Sequence, residues 1–101
     1  MRYERFNEVA KFLKKNCKLD YPLNIRRTRL RKEHEGECEL KDGKFVIKID
    51  KDLEENHSID VLIHEIGHAM AWDKDSNIHG LNWGKAYSKI YRKFLDFVGE
   101  A

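Results

Sequence analysis

Two histidines four residues apart, with a glutamate beside the first, are the residues of this chain best suited to chemistry. His64-Glu65-Ile66-Gly67-His68 has the pattern HExxH. On a helix, four residues rise about 6 Å. Both imidazoles then lie on one face and can share a tetrahedral metal. Glu65 stands next to them on the same exposed side, where a carboxylate can take a proton from a water instead of ligating the metal. Nitrogen donors suit zinc, and a set of three ligands leaves a fourth position open, as catalytic sites require. HExxH also arises by chance in amphipathic helices, with both His merely solvated, so the existence of a third ligand decides between the two readings.

That ligand can be sought by elimination. A His six residues beyond His68 would complete one known arrangement, but Lys74 stands there. A Glu on a later helix would complete another, but there is none between Glu65 and Glu100. Asp73, Asp75, His79 and Asp96 remain. Asp73 and Asp75 read as solvated loop residues, and Asp96 belongs to a distant turn. His79 is the best placed: it follows a loop long enough to turn the chain back, and Gly80 lets the backbone enter the next helix tightly. Around this set, Asp60 sits one turn before His64. There it can orient an imidazole or simply supply negative charge at a helix start. Trp83 is expected to pack behind the site. Tyr87 and Tyr91 are candidates to stabilise an oxyanion, with core packing the commoner role for each. His57 reads as a surface histidine.

The elements that must position these residues follow from periodicity. Tyr3, Phe6, Val9, Ala10 and Leu13 recur at helical spacing with Lys and Glu on much of the other face, so Tyr3 to Asn16 reads as an amphipathic helix. Asp20-Tyr21-Pro22 breaks it. Three strands follow, over Leu23 to Leu30, Glu37 to Leu40 and Lys44 to Ile49. Asp42-Gly43 marks a hairpin between the last two, because Gly supplies positive φ at low cost. All three are expected to be antiparallel, with the loop Lys32 to Gly36 joining the first two. Ile59, Leu62, Ile63, Ile66, Ala69 and Met70 form one buried stripe that leaves out His64, Glu65 and His68, with Ser58 as the expected N-cap. Asp73 to Ile78 reads as a loop. Trp83, Ala86, Tyr87, Ile90, Tyr91, Phe94, Phe97 and Val98 give a final helix from Leu81 to Val98. The expectation is a single α+β domain over residues 1–101: an N-terminal helix, a three-stranded antiparallel sheet, an active-site helix and a C-terminal helix.

The two-part motif His64-Glu65-Ile66-Gly67-His68 and His79-Gly80-Leu81-Asn82-Trp83 resembles the SprT-like zinc metallopeptidases, above all their small phage and bacterial members with HExxH…HGxxW. The resemblance covers Ile59 to Tyr91, about a third of the chain. It implies a minimal zincin-like core, one zinc held by His64, His68 and His79, Glu65 as general base, and hydrolysis of peptide bonds in a protein or peptide substrate. Leu81 departs from the Pro that many relatives carry after the HG pair. The four-Cys zinc ribbon of larger members is absent from this sequence, so DNA-dependent recruitment is not implied.

Composition narrows the alternatives. With 101 residues, 20 basic against 18 acidic and a net charge of +2, there is no global field pointing to nucleic acid. Arg26-Arg27-Thr28-Arg29-Leu30-Arg31-Lys32 is the local exception. On a strand Arg27, Arg29 and Arg31 would share a face and could give weak DNA association, but Glu35, Glu37 and Glu39 on the expected neighbouring strand would pair with them. The competing function is therefore a non-catalytic zinc-binding module that uses this Arg-rich face for protein or nucleic acid. The longest apolar run is Ala69 to Trp72, far short of the roughly 20 residues of a membrane span. The charged N-terminus lacks the apolar segment of a signal peptide. A cytoplasmic location is expected, in the host cytoplasm if a phage encodes the chain, with Cys17 and Cys38 as free thiols.

Overall fold

The structure, a computed structural model, describes residues 4–31, 33–73 and 79–99. The order of elements is α1 (Glu4–Asn16), β1 (Leu23–Thr28), β2 (Gly36–Lys41), β3 (Lys44–Asp50), α2 (Glu55–Met70) and α3 (Leu81–Val98). The α+β class is as expected, and α3 has the expected limits. Its end is fixed by Gly99, which takes φ 78° and turns its N–H back to the carbonyls of Leu95 and Asp96. Tyr3, the expected first residue of α1, and most of the expected loop up to Ile78 lie outside the described residues.

The sheet is mixed instead of all antiparallel. Its order is β1-β3-β2. β2 and β3 form the antiparallel hairpin around Asp42-Gly43, both at positive φ, while β1 runs parallel to β3 with Ile25 opposite Ile47. Composition explains the order. β3 carries Phe45, Val46, Ile47 and Ile49, all buried, and takes the centre, where both edges are hydrogen-bonded. The more charged strands β1 and β2 take the edges.

This order removes the expected Arg–Glu ladder, because β3 separates the two strands. It also breaks up the basic face. Register places Arg27 opposite Ile49, on the inner side of the sheet. Its guanidinium lies 5.5 Å from the centre of the Phe6 ring, and Nη2 donates to the Lys51 carbonyl at 2.6 Å. β1 has ended by Arg29, so Arg27, Arg29 and Arg31 do not form one stripe.

One core ties the elements together. Phe6, Val9 and Leu13 of α1 pack with Ile59, Leu62, Ile63 and Ile66 of α2, the apolar side chains of β3, and Ile90 and Phe94 of α3. α2 is the hub, touching both other helices and strands β2 and β3. It begins at Glu55, earlier than expected. Ser58 is therefore not its N-cap but a buried residue of its first turns, with Oγ donating to the Glu55 carbonyl at 2.6 Å. The Glu55 carboxylate accepts the Phe6 N–H at 3.1 Å, so the start of α2 also satisfies a free backbone donor at the start of α1. Among the described residues no helix is long and apolar enough to cross a membrane.

Candidate metal centre

The helical spacing of HExxH does what the sequence reading requires. His64 and His68 project from the same side of α2, and Nε2 of one lies 3.1 Å from Nε2 of the other. His79, just before Gly80 and the start of α3, brings its own Nε2 to 3.2 Å from that of His64. One nitrogen from each of the three rings lies within 4.8 Å of the others. Tetrahedral zinc at about 2.0–2.1 Å from each nitrogen would hold them about 3.3 Å apart, so the three imidazoles fit such an ion. No carboxylate joins the cluster among the described residues. Asp73 is exposed beyond α2 with φ 59°, Asp96 is in the last turn of α3, and Asp75 lies outside the described residues.

Burial holds the His64 ring below the ordinary imidazole range, with the nearby His79 adding to the effect. Burial likewise takes His68 down to about 4, helped by His64 and His79. Both rings are thus neutral near pH 7, the state in which imidazole can ligate. Trp83 packs against the cluster, with ring centres 5.1, 5.8 and 4.6 Å from those of His64, His68 and His79. Its Nε1–H donates to the His64 carbonyl at 3.3 Å, which pins the backbone of the first histidine.

Glu65 departs from expectation. It is only 8% exposed, because the start of β2 closes over it. Burial, reinforced by the negative charge of Glu37, pushes its carboxyl up to about 7. The close approach depends on Gly36, where a Cβ would meet Val61 Cγ1 at 2.5 Å and Glu65 Oε2 at 3.1 Å. Gly67 plays the matching part on the other side of α2, where a Cβ would come within 3.1 Å of Trp83 Nε1. Neither glycine stands out in the sequence as a site residue. The only cue is that Gly67 occupies one of the free positions of HExxH.

A groove of about 450 Å³ opens onto this site. Glu33 to Gly36 form one wall, Asp60, Val61, His64 and Glu65 of α2 the floor, and Tyr87 the α3 side. At its rim His57 Nε2 meets Glu35 Oε2 at 2.7 Å, so the surface histidine holds the loop before β2 to the start of α2. Asp60 lines the groove but makes no hydrogen bond to an imidazole among the described residues. Its charge instead falls on Tyr87, whose phenol is raised above its ordinary value by burial first, then by Asp60 and Tyr91. Cys38, on β2, is a free thiol pushed up to about 12 by burial and by the charges of Glu65 and Glu39, so it is inert as a nucleophile.

The chain is similar to the metallopeptidase zymogen abylysin of Pyrococcus abyssi, with TM-score 0.54 and 22% identity over 97% of this chain and 96% of that one. The two therefore share a fold. No protein-family profile and no curated protein matches the sequence.

Proposed function

We propose that the chain is a zinc-dependent endopeptidase of the SprT-like kind, with His64, His68 and His79 as the ligands of one zinc ion and Glu65 as general base. A zinc ion held there would supply Lewis-acid polarisation of a carbonyl and make a water more acidic. Glu65 takes a proton from the attacking water and returns it to the departing amine. A carboxylate beside the three imidazoles is placed to serve both transfers. β2 is an edge strand beside the groove, so an extended segment of a protein or peptide substrate can pair with its backbone.

The observation that carries this reading is the convergence of three imidazole nitrogens beside a buried carboxylate, with His64 and Glu65 lining one groove. A non-catalytic zinc module acting through an Arg-rich sheet face is less well supported. Arg27 is engaged within the fold, and a purely structural metal has no use for Glu65. Cleavage of an unfolded protein such as casein tests the proposal. Activity should vanish with a chelator, return with zinc, and fall at least about 100-fold in Glu65→Gln. A zinc-loaded parent that cleaves no peptide, or a Glu65→Gln variant as active as the parent, would overturn it.

A further inference from the structure

On its α3 side the groove has a polar group that the mechanism above leaves unused. Among the described residues Tyr87 is the only one of α3 in the groove lining; the others come from α2 or from the segment Glu33 to Gly36. Its ring is held from behind by Trp83, with centres 5.2 Å apart, and along the helix by Tyr91, at 5.9 Å. Trp83 in turn rests on all three histidines, so Tyr87 is indexed to the cluster through a stack of rings instead of being free to swing. The ring is half-buried, and among the described residues its hydroxyl has no hydrogen-bond partner. Packing alone calls for a Phe at this position. A phenol at the wall of a polar groove, on a ring fixed against the site, has the features of a preorganised donor.

We infer that Tyr87 is a catalytic residue of the proposed peptidase reaction, donating a hydrogen bond from its hydroxyl to the substrate carbonyl oxygen as negative charge develops there. This rests on the peptidase reading. In the addition step the water oxygen bonds to the carbonyl carbon, the water's proton passes to Glu65, and the carbonyl π pair moves onto its oxygen. Tyr87 donates to that oxygen and keeps its own proton. On collapse the pair re-forms the carbonyl, the C–N bond breaks, and the proton on Glu65 goes to the amine. A donor aimed at the developing oxyanion lowers the barrier more than it aids substrate binding, so its loss shows in kcat and not in KM.

Tyr87→Phe tests the inference, because it keeps the ring and its packing and removes only the hydroxyl. Two measurements apply: kcat and KM on a peptide substrate at equal zinc content, and affinity for a phosphinic peptide, whose tetrahedral centre mimics the addition product, against that of a peptide product. The expected result is a kcat about 10- to 100-fold lower with KM within twofold, and phosphinic-peptide affinity reduced by a similar factor while product affinity is unchanged. A variant with unchanged kcat and unchanged phosphinic-peptide affinity, beside an active parent, would overturn the role of Tyr87 and leave the peptidase reading standing. A zinc-loaded parent with no peptidase activity would overturn both.

Discussion

Glu65 owes its properties to burial, and burial is a testable cause. Its carboxyl is raised to about 7, so between about pH 4.5 and 7 the folded chain holds a proton that the unfolded chain has released. Stability therefore falls as pH rises through that window. His64 and His68 are shifted down and contribute the opposite slope, losing stability as pH falls towards about 4. Both histidines are present in the parent and in Glu65→Gln, so the difference between those two proteins isolates the carboxylate. With a chelator present, Glu65→Gln should gain on the parent by about 1–3 kcal/mol between pH 4.5 and 8, read by urea unfolding at each pH. A difference independent of pH would mean that Glu65 is solvated. The sequence does not reveal this burial, since helical spacing sets Glu65 beside His64 on the side away from the apolar stripe. What covers it is the start of β2, remote in the chain and able to approach only because residue 36 lacks a side chain.

At the scale of elements, the helices were legible and the strand order was not. Apolar spacing reports directly which face of α1, α2 and α3 is buried, because each helix closes its hydrogen bonds within itself. A strand's alternation reports its faces but not its neighbours. The Asp42-Gly43 turn encodes the β2–β3 pair, whereas the parallel pairing of β1 with β3 is a long-range choice, favoured by putting the most apolar strand in the middle. Ser58 misled for a related reason: a good capping residue was used inside the helix, buried and bonded to Glu55. The contact between β2 and α2 is where this scale meets the site. Gly36→Ala should force Val61 or the strand aside, costing about 1–3 kcal/mol in thermal or urea unfolding and lowering peptidase activity with it. An alanine variant with the parent's stability and activity would show that the strand does not press on α2.

At the scale of the whole molecule, the centre joins α2 to α3 through side chains from both. His64 and His68 come from one helix and His79 from just before the other, so an ion bound there would cross-link the two across the gap that Gly67 keeps narrow. Binding to the folded chain alone stabilises it by mass action. At zinc 100-fold above its dissociation constant the gain is about 2.7 kcal/mol, or about 10–20 °C in Tm for a domain this small. Scanning calorimetry with zinc and then with excess chelator should show that shift, and a Tm indifferent to zinc would deny the cross-link. The convergence of three histidines is legible in the sequence. HExxH fixes two positions by geometry, and the scarcity of other ligands downstream singled out His79. The groove was not readable, because its walls come from three separate stretches of chain.

The most direct test of the account is the zinc content of the purified protein, measured by atomic emission on the parent, His79→Ala and Glu65→Gln side by side. The account predicts one zinc per chain in the parent and in Glu65→Gln, and loss of the metal in a still-folded His79→Ala. A parent that binds no zinc, or a His79→Ala variant that keeps it as tightly, would contradict the three-histidine centre.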